Sequence, residues 1–397
     1  MTRTLRILLS LLVVFPAVVT AQRIKLPASR KDLEKVVRDN PNDAAAHYNV
    51  ALAYWNEKKW DRARTELQSA VTIEPRLAAA HLALAYMPYA QRSKLWTERF
   101  EDDLSDSLSH VLEVSRREER HAYLIDPLVD RTIIGATTPK RSALWQNNDF
   151  LRGLYQLWFQ GFDDFIGRDY ENAYSKYNRL LEEWSKSRIS EDDAAKPPVD
   201  WIWYRALSAA QTDRFEEARA GIQQLLQRTL DEEEGPDLVQ LPLRTNEYRY
   251  MAAALEQRAG NLVSALELYQ KAAQHDLGLY MAHVRMADIY ESRKQYPKAI
   301  KERRRAIAAN PDDPTLVMDL GISLGKAGHF AEAEEYLTQA SAADPRHALM
   351  PFWLGLAQMQ QQKWAPARES FTRFIDMAPA RYQRQVSMAR QNLERIP

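Results

Sequence analysis

YMAHVRMADIYESRKQYPKAIKERRRAIAANPDD (280–313), PTLVMDLGISLGKAGHFAEAEEYLTQASAADPRH (314–347) and ALMPFWLGLAQMQQQKWAPARESFTRFIDMAPAR (348–381) are three consecutive stretches of 34 residues written in one register. Ala287, Gly321 and Gly355 stand eighth, Ala299, Ala333 and Ala367 twentieth, and Pro311, Pro345 and Pro379 thirty-second. The seventh place holds Met286, Leu320 and Leu354. Small side chains at places 8 and 20 suit two antiparallel helices that cross closely, because anything larger than alanine would force the axes apart. Larger residues at 7, 11 and 24 fill the space beside the crossing, so Leu354 reads as buried between helices. Proline at 32 cannot continue the second helix, and the Asp or Asn beside it helps to start the next.

The register extends outward. Asn246 to Leu279 fits it with Ala253, Ala265, Tyr269 and Ala272, without the closing proline. Ala44 to Leu77 repeats it with Val50, Ala51, Tyr54, Ala63, Leu67, Ala70 and Pro75, and Pro41 lies one period before Pro75. NPDDP at Asn310–Pro314 and NPND at Asn40–Asp43 are its clearest stops. One such hairpin cannot bury its own apolar face, so neighbours must stack. Only 12 glycines in 397 residues, against abundant Ala, Leu, Gln, Glu and Arg, agree with helices joined by short turns.

Over Asn246–Arg381 and Ala44–Pro75 these residues resemble the tetratricopeptide repeat family. The resemblance implies an all-α fold, a right-handed superhelix (α-solenoid) of antiparallel helix pairs, and a scaffold that binds protein or peptide partners without being an enzyme. In that family the first helices line a concave groove through places 2, 5, 9, 12 and 13. Here place 5 is Tyr48, Tyr250, Val284, Met318 and Phe352, and place 9 is Leu52, Ala254, Asp288, Ile322 and Leu356. Arg258 stands at place 13 and Met359 at place 12 of their repeats. The expected partner-binding set is therefore Tyr48, Tyr250, Arg258, Asp288, Met318, Ile322, Phe352, Leu356 and Met359. The family's carboxylate clamp of Lys at 5 and Asn at 9 is missing, so that activity does not carry over. Glu247, Arg258, Asp288, Glu291 and Lys326 are the charges of a groove otherwise apolar to aromatic, which suits a helix or an extended apolar peptide.

Elsewhere the register lapses. Ala78–Tyr86 opens a first helix, but Pro88 stands where place 11 should be. The chain then divides into N-terminal repeat-like helices (22–90), a helical insertion (91–140), degenerate aromatic-rich repeats (141–245), four in-phase repeats (246–381) and a capping helix (382–397). Within the insertion, Thr132–Arg141 reads as a loop. Gly161 and Ala173, then Ala206 and Ala218, mark the degenerate pairs, and Lys186–Pro198 and Asp231–Pro242 read as exposed connections. Between Trp145 and Trp184 aromatic residues crowd, with Trp158/Phe162/Phe165 and Tyr170/Tyr174/Tyr177 at helical spacing. Core between facing helices and a binding surface for peptide or carbohydrate both fit that density. Residues 91–184 are accordingly the place for a ligand-binding or enzymatic module, if there is one, and a structural subunit of an envelope assembly is the third reading. At the C-terminus Tyr382–Ile396 reads as one helix with Val386, Ala389, Leu393 and Ile396 on a single face, as a cap requires.

Residues 1–21 have the form of a signal peptide. Arg3 and Arg6 precede an apolar run from Ile7 to Val19, and Val19-Thr20-Ala21 offers a cleavage site before Gln22. The run is 13 residues long, whereas a spanning helix needs about 20, so an uncleaved anchor is the lesser reading. The chain has no cysteine, which excludes a lipid-modified N-terminal cysteine and any disulfide. A periplasmic or secreted protein without membrane insertion after cleavage is expected.

Lys plus Arg and Asp plus Glu number 54 each, so there is no overall field for nucleic acid or an anionic membrane. There is no glycine-rich phosphate loop, HExxH or serine elbow, and no cofactor or catalytic residue is assigned. His110, Glu113 and His121 are the nearest thing to a metal cluster and fit a solvated helix face better, so no metal is assigned. Glu101, Asp102, Asp103 and Asp106 lack the spacing of a calcium loop and suit a helix N-terminus. Arg303, Arg304 and Arg305 read as an outward-facing basic run.

Overall fold

The structure is a computed structural model that describes residues 24–92, 105–130, 132–135, 149–186, 197–233, 245–276 and 278–397. The proposed signal peptide (1–21), the acidic run 101–103 and most of both long connections lie outside the described residues. The described secondary structure is helical throughout. Among the described residues two compact bodies are present: one holds 24–27 and those within Ala51–Leu67 and Ala78–Leu255, the other those within Ala28–Val50, Gln68–Leu77 and Glu256–Pro397.

Among the described residues, seven hairpins share one turn. The residue at place 15 has positive φ in each: Lys58, Arg168, Asp213, Gly260, Lys294, Gly328 and Gln362. In each the next amide reaches back to the carbonyl at place 11, as in Gln295 to Tyr290 (2.8 Å), His329 to Leu324 (2.9 Å) and Asp169 to Asp164 (2.8 Å). A left-handed residue closed by this six-to-one bond satisfies orphan carbonyls at the end of the first helix and reverses the chain. Two of the seven lie in the aromatic middle, at 168 and 213, so those degenerate stretches are hairpins of the same kind.

In the first body, α1 (Ala78–Gln91) runs straight through Pro88, and its partner is α2 (Asp106–Ile125). The expected insertion therefore supplies the second helix of this pair. Ser115 donates to the Ala85 carbonyl across the pair (2.5 Å) and His81 meets Glu118 (2.7 Å). Thr132–Gly135, expected as loop, forms one helical turn against α1. Next come α3 (Asp149–Ile166) with α4 (Tyr170–Ser185), and α5 (Val199–Gln211) with α6 (Phe215–Glu233). α6 continues through Glu233, into the stretch read as a connection. Phe165, Tyr177, Trp184 and Trp201 are buried, with Tyr177 stacked on Tyr204 (5.8 Å) and Trp184 edge-on to Trp201 (5.5 Å). Those aromatics are core. Trp158 and Phe159, stacked at 5.1 Å, stay partly exposed.

In the second body the in-phase hairpins follow one another: α7 (Tyr280–Ser292) with α8 (Tyr296–Ala309), α9 (Pro314–Lys326) with α10 (Phe330–Ala343), and α11 (Leu349–Gln360) with α12 (Trp364–Met377). In the last two pairs place 8 meets place 24. A Cβ on Gly321 would lie 2.7 Å from Leu337 Cγ, and one on Gly355 2.9 Å from the Phe371 ring. Asp313 caps α9 through the Thr315 amide (2.9 Å), and Asp43 caps the helix after Pro41 through the Ala45 amide (3.0 Å). A 3-10 turn (Ala380–Tyr382) leads into α13 (Gln383–Arg395), whose Val386 and Ala389, with Ile396, join Phe352, Phe371 and Phe374 in one apolar cluster.

Candidate functional site

The first-helix face of the second body is where the groove residues were expected, and its packing divides them. Phe352 is only 2 % exposed and lies 5.0 Å from Phe374, ring to ring. Leu356 and Met359 pack against the same cluster, which includes the C-terminal helix. The expectation that Phe352 stands open in a groove is thus corrected: α13 supplies the next layer, so place 5 of the last repeat faces a neighbour. Leu354, expected at the heart of the pair, is half-buried instead. Met318 is buried in the core of the preceding repeat, with Ile322 packed beside it and partly exposed. In the first body Tyr250 is buried too, its hydroxyl donating to the Leu124 carbonyl (2.6 Å). Tyr48, Asp288, Ile322, Leu356 and Met359 keep partial exposure and Arg258 is exposed.

What lies between α7 and α9 is charged rather than apolar. Place 24 holds Leu67, Tyr177, Ile222, Tyr269, Leu337 and Phe371 in six repeats, each buried; in the seventh it holds Arg303. Ala287, not glycine, stands opposite. The Arg303 side chain is 6 % exposed and reaches through to the first-helix face. There its Nη2 donates to Asp288 Oδ1 (2.6 Å) and Glu291 Oε1 (3.0 Å), and its Nη1 lies 3.6 Å from Asp319 Oδ2. Ser323 accepts from Nε at 3.4 Å and donates to Glu291. Lys326 donates to the other Glu291 oxygen (2.5 Å), and Arg76, from the turn before α1, donates to Asp319 Oδ2 (2.6 Å) with its Nε 3.6 Å from Asp313. The result is a continuous seam of alternating charge.

Burial opposes the charge of Arg303, but Asp319, Asp288 and Glu291 outweigh it and hold the guanidinium above its ordinary value. Burial likewise pushes the Glu291 carboxyl up, and the Arg303 charge with hydrogen bonds from Lys326 and Ser323 brings it below the usual carboxylate range. Such a seam can present fixed charges to a partner, because every member is held in place by the next.

Sequence reading placed Asp288, Glu291 and Lys326 on this face and missed Arg303, Asp319, Ser323 and Arg76. Arg303 is not part of an outward basic run: Arg304 and Arg305 face out (54 % and 51 % exposed), while Arg303 turns in. Its place in the 34-residue register was the available signal, since place 24 is otherwise a core position. Arg76 carries no such signal, because its contacts are 243 residues away in the chain. Among the described residues no group of His, Cys, Asp or Glu is arranged to hold a metal, and His121 packs edge-on against His81 (4.5 Å).

Two segments of the chain, 25–81 and 318–382, match the family model for the tetratricopeptide repeat. No curated protein matches the chain. Solved structures similar to it include the C-terminal part of a TPR repeat-containing protein from Cytophaga hutchinsonii, at 15% identity over 58% of this chain and 84% of that one, with a TM-score of 0.46. MamA from Desulfovibrio magneticus RS-1 is 19% identical over 48% of this chain and 99% of its own, TM-score 0.38. YrrB, described as a TPR protein with an unusual peptide-binding site, is 18% identical over 52% and 98%, TM-score 0.38. In those two segments the chain is similar to tetratricopeptide repeats, and the described hairpins between them close with the same turn at place 15.

Proposed function

We propose that this chain is an exported, non-catalytic scaffold that binds a protein partner on the first-helix face of α7 and α9. The observation that carries the reading is the charged seam itself. Asp288, Glu291 and Lys326 occupy places 9, 12 and 13, through which the family contacts its ligands, and they stand beside the partly exposed Ile322. A buried arginine in a core position is a costly way to hold three carboxylates on a surface that packing alone does not need. Its use is explained if those groups set the register of a bound segment, with Ile322 supplying apolar contact. Among the described residues no helix is long and apolar enough to cross a membrane. With residues 1–21 cleaved as a signal peptide, the partner belongs to the periplasm or the exterior.

The test is affinity purification of the tagged chain from its native cells, with Ile322→Arg alongside. A protein recovered with the wild type and lost from a variant that melts normally supports the reading. Equal recovery with both would reject the face. Mass spectrometry of the purified chain should show an N-terminus at Gln22 or within a residue or two; a retained Met1–Ala21 would reject cleavage.

A further inference from the structure

The seam holds an occupant from elsewhere in the chain. Arg76 follows Pro75 in the turn before α1, yet its guanidinium sits between Asp319 (2.6 Å) and Asp313 (3.6 Å) with the side chain 21 % exposed. Two of its nitrogens, Nε and Nη2, are buried without a hydrogen bond. Burial opposes its charge, and Asp319 and Asp313 more than offset that opposition. Beside it Arg381 is paired with Asp43 and Glu74, the latter at 3.2 Å, so two ion pairs hold this turn against the later repeats of the same body.

The charge balance shows what Arg76 does there. Asp288, Glu291, Asp313 and Asp319 face Arg303, Lys326 and Arg76. Without Arg76 the seam carries two uncompensated negative charges, and Asp319 keeps only Arg303, at 3.6 Å. Asp313 already spends its Oδ1 on the Thr315 amide and hydroxyl, which leaves Oδ2 facing Arg76. A largely buried carboxylate pair with one weak cationic neighbour is a receptor for a guanidinium or ammonium group. Arg76 fills it incompletely, with two donors unused.

We propose that Arg76 is a built-in stand-in for an arginine of the protein partner, and that binding exchanges one guanidinium for the other. This rests on the reading of the α7–α9 face as the binding face. The exchange masks the site in the free chain and lets only a segment carrying arginine displace the turn. A partner with an acidic segment would meet Asp313 and Asp319 and be repelled.

The exchange is tested on the purified chain with a labelled acetyl-Ala-Ala-Arg-Ala-Ala-amide peptide and its citrulline counterpart, which keeps the shape and loses the charge. R76Q should bind the arginine peptide at least about tenfold more tightly than the wild type, as expected when one charge-assisted competitor is removed. The citrulline peptide should bind neither, and adding D319N to R76Q should abolish binding. In the wild type, excess arginine peptide should speed hydrogen exchange at Glu74–Leu77, a readout that needs no variant. Equal binding by wild type and R76Q, binding of citrulline as tight as arginine, or exchange at Glu74–Leu77 unmoved by saturating peptide would each overturn the proposal. The peptide experiment does not depend on recovering a partner. A face that binds the peptide but recovers no protein would reject the scaffold reading and leave the guanidinium site standing.

Discussion

Arg303 and Arg304 are neighbours with opposite surroundings, and substitutions should separate them. Arg303→Ala would leave Asp288, Glu291 and Asp319 short of a buried partner and should lower stability by about 3–5 kcal/mol. Arg304 is half-exposed with Glu332 at 3.6 Å, so Arg304→Ala should change stability by less than about 0.5 kcal/mol. Urea unfolding of both variants checks this, and equal losses would contradict the burial of Arg303. His347 makes a second residue-level case. Burial holds its imidazole below the ordinary value against Asp344, Glu74 and Asp319, with Arg381 adding to the depression, and its Nδ1 is buried without a hydrogen bond. A histidine with a depressed folded pKa contributes stability that is present above the unfolded value of about 6.5 and is lost as pH falls through the folded one. The urea midpoint of the wild type should therefore fall between pH 7.5 and pH 5, and His347→Gln should fall less; parallel curves would show that His347 does not titrate across folding. Neither residue was legible as it is now understood. Three arginines in a row look like a solvated face until the 34-residue register is applied to each in turn.

At the scale of the element, the turn at place 15 recurs where the side-chain pattern had faded. Lys58, Arg168, Asp213, Lys294 and Gln362 adopt positive φ without being glycine, whereas Gly260 and Gly328 fill the same place without strain. A left-handed non-glycine residue costs roughly 1–2 kcal/mol, and glycine returns about 0.4–1 kcal/mol of that as added freedom in the unfolded chain. Lys294→Gly and Gln362→Gly should each stabilise by about 0.5–1 kcal/mol, read as a raised urea midpoint, and a loss would contradict the shared turn. The small residues at places 8 and 20 were readable in advance because a close helix crossing admits few side chains. Place 5 was misread at Phe352 because a single repeat does not say what covers it. Its neighbour is α13, so Phe352→Ala should cost about 3–5 kcal/mol, and Leu354→Ala, at a half-buried site, distinctly less. Thermal melts of the pair decide between the two assignments. Pro88 misled for a related reason: it stands inside α1 near that helix's end, and the partner helix was displaced along the chain to Asp106–Ile125 rather than lost.

For the whole molecule, the repeat architecture was plain from spacing, since a register kept over several 34-residue periods has one physical solution in stacked hairpins. The proposed binding face was only half plain. Asp288, Ile322 and Lys326 could be placed by their positions, but the seam that organises them depends on Arg303 crossing a core and on Arg76 arriving from another part of the chain. No periodicity encodes such contacts. Whether a protein partner lies on the α7–α9 face can be read in the native cell from a photo-crosslinking residue placed at Ile322, with Glu335 on the exposed side of α10 as the control. A crosslinked protein adduct is expected from position 322 and none from position 335. Adducts from 335 alone, or equally from both, would contradict it.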